Sequence, residues 1–274
     1  MLTSLQNPLV KEIRKLHQGK YRRQQGQFLL EGTHLIQEAL TVGYPLSVVC
    51  HTPAWQDRYP KLATDLCQTA QRVELVAEEV IQSLATTVHP DGIVAVAPQR
   101  ATVPPSAPTG IGLVIETLQD PGNLGTIIRT ATAAQADGLW LSADGVAPDH
   151  PKVLRASAGQ WFRLPMVVES NLEATLKTWR SQGLQLVATL PTAPQDYWAV
   201  DFTRPTVIVL GNEGAGLSEA LQRQATTTVT IPMHPAVESL NVAMAAALLL
   251  YEAQRQRRGS PPIVLPAPTE PPDL

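Results

Sequence analysis

Residues Thr206–Leu221 read TVIVLGNEGAGLSEAL. An apolar run from Val207 to Leu210 ends at Gly211, two further glycines follow at 214 and 216, and the chain then turns helical. Strand, glycine turn and helix in that order usually mark a phosphate held at a helix N-terminus. The spacing here is G-x-x-G-x-G, however, not the dinucleotide G-x-G-x-x-G, and Glu213 lies inside the turn. A carboxylate is a poor lining for a phosphate nest. The turn also comes late. Only one strand and one helix follow it, whereas a dinucleotide site uses the first βα turn of its unit.

Working outward, the chain has 274 residues, 44% hydrophobic and 16% charged, the composition of an ordinary globular protein with room for two domains. Its net charge of −3 says nothing about an anionic partner; the distribution of charge is more informative. Residues 1–26 hold Lys11, Arg14, Lys15, Lys20, Arg22 and Arg23 against Glu12 alone. Such an excess suits either an arm for a phosphate backbone or a solvated helix face. Cys50 and Cys67 form no C-x-x-C pair, which predicts free buried thiols in a reducing compartment. The N-terminus lacks an apolar signal core, and the longest apolar run, Val242–Tyr251, is half of the ~20 residues needed to cross a bilayer. A cytoplasmic protein is expected. The six histidines show no metal spacing, and no metal is expected.

Two proline-rich stretches divide the chain. PQRATVPPSAP (98–108) is expected to be a linker, and residues 259–274 a disordered tail. Residues 1–97 alternate helix and strand patterns as a small α/β domain, with Thr33 as the expected N-cap of one helix and Gly43 near its end. Residues 109–258 alternate more clearly. Their near-continuous apolar strands predict a mostly parallel sheet covered on both faces.

Two further clusters accompany the glycine turn. In LQDPGNLGTIIRTA (118–131), Asp120-Pro121-Gly122 makes a tight turn before a helix carrying Asn123, Gly125 and Arg129. Taken alone, these are a capping asparagine and a surface arginine, although an arginine there could also fork onto a phosphate. In IPMHPAVESLNVAMAAALLLYE (231–252), Pro232 and Pro235 bracket a stiff loop. Ser239 is the expected cap of the last helix, with Asn241 in its first turn.

Together the three clusters resemble the sequence motifs of the SpoU (TrmH-like) branch of the SPOUT RNA methyltransferases. N-x-G-x-x-x-R at 123–129, VLGNEGAGLS and IPM…ESLNVAMAAALLLYE agree in order and spacing. The segment Asn7–Leu40 resembles the ribosomal-protein-like substrate-binding domain found ahead of such catalytic domains. Pro235 stands where many members have glycine. The resemblance implies a C-terminal sheet tied into a deep trefoil knot, an exception to the un-knotted rule. It implies S-adenosylmethionine bound by Thr189, Leu190, Gly211, Ile231, Met233 and Leu240, and methyl transfer to a ribose 2′-hydroxyl by Asn123, Arg129, Glu213, Ser239 and Asn241. It also implies a homodimer packed through the last helix. The cofactor carries a sulfonium cation and no phosphate, so Glu213 becomes electrostatically sensible. Arg129 is either the base or the holder of a target phosphate; guanidinium is effectively always protonated, which favours the second role.

The expected substrate is RNA, 23S ribosomal RNA ahead of tRNA. A non-catalytic RNA-binding protein of the same fold is a further alternative, opposed by the presence of all five catalytic-site residues. A nucleotide-dependent oxidoreductase is disfavoured by the glycine spacing.

Overall fold

A computed structural model describes residues 1–100 and 106–259. The middle of the expected linker and residues 260–274 of the expected tail lie outside the described residues. The first hundred residues hold α1 (Pro8–Lys15), α2 (Gly19–Gln25), β1 (Gln27–Glu31), α3 (Thr33–Thr41), β2 (Val48–His51) and α4 (Pro53–Arg58), followed by α5 (Pro60–Thr69), β3 (Val73–Leu75), α6 (Glu78–Leu84) and β4 (Ile93–Pro98). Then come β5 (Ile111–Ile115), α7 (Pro121–Ala133), β6 (Gly138–Ser142), α8 (Pro151–Ala156), β7 (Met166–Glu169) and α9 (Leu172–Ser181). The chain continues with β8 (Gln185–Thr189), β9 (Thr206–Leu210), α10 (Glu219–Gln222), β10 (Thr227–Val229) and α11 (Val242–Arg257).

The strands form two sheets. The first has the order β1-β4-β2-β3, with β4 antiparallel to both β1 and β2. Its alternation is that of a strand with two buried faces. Phe28, Leu30, Ile93 and Ala95 enter one core with Leu35, Trp55 and Leu66, while Leu29, Val94 and Val96 enter another with Val10, Ile13 and Ile81. The second sheet has the order β10-β8-β9-β5-β6-β7 and is parallel throughout. Its central strands β5 and β9 are buried along their whole length, as their unbroken apolar sequences require. On one face, Val114, Val207, Val209 and Ala188 pack with Leu176 and with Trp179, whose ring meets Trp140 edge-on at 4.9 Å.

The described residues group into two compact units. One contains 1–100, 118–132 and 144–165; the other contains 106–117, 133–143 and 166–259. Leu154, Trp161 and Phe162 thus join the core of the first sheet, where Trp161 lies 5.0 Å from Phe28.

Several local expectations change. Thr33 does not cap α3. Gly32, at φ 97°, occupies the cap, and Thr33 is the first helical residue. Its amide and hydroxyl both donate to Asp91, and its oxygen accepts from the Trp55 indole at 2.7 Å. Gly43 follows α3 with φ 65°, the left-handed conformation expected beyond a helix end. Cys50 is buried as expected, and burial pushes its thiol up to about 12, but Cys67 is exposed. Arg22 leaves the basic arm: it is buried, donates to the carbonyls of Leu16 and His17, and pairs with Asp149 at 3.2 Å. Lys11, Arg14, Lys15, Lys20 and Arg23 are exposed.

Candidate cofactor and substrate site

The glycine turn after β9 is closed from within. Asn212 and Gly216 exchange backbone hydrogen bonds of 3.0 Å each. The Asn212 carboxamide oxygen accepts from the amides of Gly214 and Ala215 at 2.8 and 2.9 Å, and its nitrogen donates to the Thr117 carbonyl. The Ser218 amide donates to Glu116 at 2.7 Å. The amides of Gly214, Ala215, Gly216 and Ser218 are therefore already engaged and turned away from a phosphate. Gly211 is fixed by close approach: a Cβ there would collide with the backbone of Gly216 and Leu217. Ser218 caps α10 through the Leu221 amide, as its position suggests.

Beside this turn, at the C-terminal ends of β8, β9 and β10, is a cavity of about 530 Å³. Thr189, Leu190, Gly211, Ile231, Met233 and Leu240, the six residues expected at the cofactor, all line it, together with Glu213 and Ser239. Its size lies within the ~300–1,000 Å³ of small-molecule sites. β10 ends at Val229, which leaves Ile231 and Met233 on a loop at the cavity wall. Thr189 is held by a bond from its hydroxyl to the Val209 carbonyl. Gln222 and Glu238 also line the cavity; Glu238 lies within the ESLN motif, whereas no motif singles out Gln222. Asn212 was missed as well, although an asparagine opening a glycine-rich loop is a ready Asx-turn former.

Asn241, Asn123 and Arg129 do not line this cavity. Asn241 is the N-cap of α11, its side-chain oxygen accepting from Ala243 and Met244. Ser239 therefore does not cap that helix; it stands two residues earlier, exposed at the cavity. Asn123 does not cap α7. The helix starts at Pro121, and the Asp120 carboxylate takes the Asn123 amide at 2.8 Å. That bond, aided by the charge of Lys152, holds the Asp120 carboxyl below the usual carboxylate range. Arg129 is exposed on α7, opposite the buried Leu124, Ile127 and Ile128, and among the described residues nothing pairs with its guanidinium. His234 is exposed, and its ring accepts from the Ala236 amide within the loop.

A parallel sheet with a glycine-walled cavity beyond its strand ends defines an α/β protein of the cofactor-binding class. The chain belongs to the SpoU rRNA methylase family, whose model matches residues 110–251. Residues 7–95 match an MRM3-like substrate binding domain. An uncharacterized tRNA/rRNA methyltransferase of Synechocystis is 50% identical over 93% of this chain and 94% of its own length. The 23S rRNA guanosine 2′-O-methyltransferase RlmP of Bacillus subtilis is 33% identical over 91% of this chain and 97% of its own. The SpoU methyltransferase AviRb of Streptomyces viridochromogenes, solved in complex with the cofactor AdoMet, superposes with a TM-score of 0.83 at 32% identity, covering 93% of this chain and 99% of that one.

Proposed function

We propose that the protein methylates a ribose 2′-hydroxyl of 23S ribosomal RNA, with S-adenosylmethionine as donor. The observation that carries this reading is the cavity beyond β8, β9 and β10, which gathers all six expected cofactor residues beside a turn four of whose amides are already engaged. When bound, the cofactor supplies an activated methyl group on a cationic sulfur. The chain supplies the rest. Backbone edges at Gly211, Ile231 and Leu240 hold the flat and the zwitterionic parts, with Leu190 and Met233 as apolar walls. Glu213 sets a negative charge at the rim, where it favours a cation. Aligning the ribose oxygen with the methyl carbon is the main task, and loss of the hydroxyl proton the second. Arg129, unpaired among the described residues, is suited to a target phosphate. Asn123, Ser239 and Asn241 complete the constellation as hydrogen-bonding groups.

The N-terminal unit is the RNA-binding part in this reading. Its support is the exposed set Lys11, Arg14, Lys15, Lys20 and Arg23, with Lys15 and Lys20 both about the Tyr21 ring. The reading includes a trefoil knot, consistent with β9 lying between β8 and β5. It also includes a homodimer packed through α11 and a cytoplasmic location, in keeping with the two free cysteines. No helix among the described residues is long and apolar enough to cross a membrane.

The test is incubation with tritiated S-adenosylmethionine and total RNA from a strain lacking the enzyme. Label at a ribose of 23S RNA is expected. Label in tRNA would move the substrate, and an unlabelled pool would favour a binding protein without catalysis. Arg129→Ala is expected to abolish methylation while cofactor affinity by calorimetry stays within twofold; a loss of that affinity would contradict the role given to Arg129.

A further inference from the structure

Four ion pairs that join distant parts of the chain all end on the segment 149–163: Asp149 with Arg22, Lys152 with Asp120, Arg155 with Glu31, and Arg163 with Glu38. Three of them reach into the first hundred residues, and the fourth reaches the turn that starts α7. The most buried acid of the set is Glu31, at the end of β1. It accepts the Thr86 amide at 3.0 Å, the Thr86 hydroxyl at 2.6 Å and the Arg155 guanidinium at 3.0 Å. Arg155 also donates to the Thr86 hydroxyl at 2.8 Å, so every member of the node holds the other two. The node therefore fixes the loop after α6 and the end of β1 to α8.

From α8 the contact continues to α7. A Cβ at Gly125 would collide with the Ala156 side chain and come within 2.8 Å of the Val153 carbonyl. The glycine lets the two helices meet at backbone distance, one turn before Arg129. Leu154, on the same helix, lies in the core beneath β1. A short run of rigid contacts thus leads from Glu31 through Arg155, α8 and Gly125 to the helix that carries Asn123 and Arg129. All of it lies within one compact unit.

We propose that Arg155 is a positioning residue for methyl transfer. Paired with Glu31, it seats α8, and through α8 the Asn123–Arg129 turn, on the RNA-binding fold, so that bound RNA and these two side chains keep one register. The proposal rests on the methyltransferase reading above. Gly125 is the passive half of the device and Arg155 the half that substitution can probe.

The experiment compares wild type, Arg155→Met and Glu31→Gln at saturating cofactor over a range of RNA concentrations, with cofactor and RNA affinities measured separately. Glu31→Gln keeps one acceptor oxygen for Thr86 while removing the charge and the second acceptor, and it carries the test if Arg155→Met does not fold. A misalignment of about 1 Å costs on the order of 100-fold in rate, so the folded variants are expected to lose about 10- to 100-fold in kcat with both affinities within twofold. Arg155→Lys, which keeps the charge, is expected to recover part of that loss. Unchanged kcat in a folded variant, or cofactor affinity falling in step with it, overturns the proposal. A wild type that labels no RNA instead overturns the methyltransferase reading, and the two failures are distinct.

Discussion

Asn241 carries two loads. Its side-chain oxygen caps α11, and its place beside Ser239 puts it in the proposed catalytic set. The two loads separate by substitution. Aspartate keeps an oxygen acceptor at the cap and adds a charge that suits a helix N-terminus. Alanine removes the cap, at a cost of about 1 kcal/mol. Asn241→Asp is expected to melt with the wild type while losing methylation, and Asn241→Ala to lose both stability and methylation. A fully active Asn241→Asp would show that the carboxamide serves the helix alone. The sequence placed this cap two residues early because serine and asparagine cap equally well and nothing local ranks them. Thr33 misled in the same way: Gly32 at φ 97° takes the cap position, and the threonine is spent on Asp91 and Trp55.

At the next scale, α8 has a titratable cap. The His150 ring nitrogen Nδ1 accepts the Lys152 amide at 3.1 Å, which requires that nitrogen to be unprotonated. Burial pushes the imidazole below its ordinary value, and the charge of Arg22 adds to the effect. A depressed value in the fold means that the unfolded chain takes the proton first. The contribution is therefore complete above about pH 6.5 and is lost as pH falls through the folded value. The thermal midpoint is expected to drop between pH 7.5 and 5.5, and His150→Asn, a cap that does not titrate, is expected to flatten that interval. An equal slope in the variant would remove His150 from the account. The depressed carboxyls of Asp120, Asp201 and Glu252 act in the same direction but in a more acid range, below about pH 4.

For the whole molecule, α11 leaves an apolar stripe in water. Met244, Leu248 and Tyr251, spaced four and three apart, are 50%, 41% and 51% exposed, and Leu248 and Tyr251 border a groove with Tyr197. If the proposed dimer packs through α11, Tyr251→Glu is expected to halve the mass seen by light scattering with cofactor affinity retained; an unchanged mass would count against that dimer. The parallel sheet was legible because fully buried strands are apolar without interruption, and the cavity residues only through the resemblance of three motifs to the SpoU family, since spacing alone did no more than argue against a phosphate. The partner of the 144–165 segment was not legible. Periodicity tells which face of a helix is buried but not what buries it, so Leu154 and Trp161 gave no sign that they complete the core around Phe28. That interleaving has a consequence during synthesis. Domains generally fold in order as they leave the ribosome, yet here the first hundred residues lack part of their interior until residues 154–162 have been translated. A nascent chain halted between the two would carry all four strands of the sheet with one of its cores incomplete, and a gene cut at the proline-rich stretch would yield the same unfinished piece.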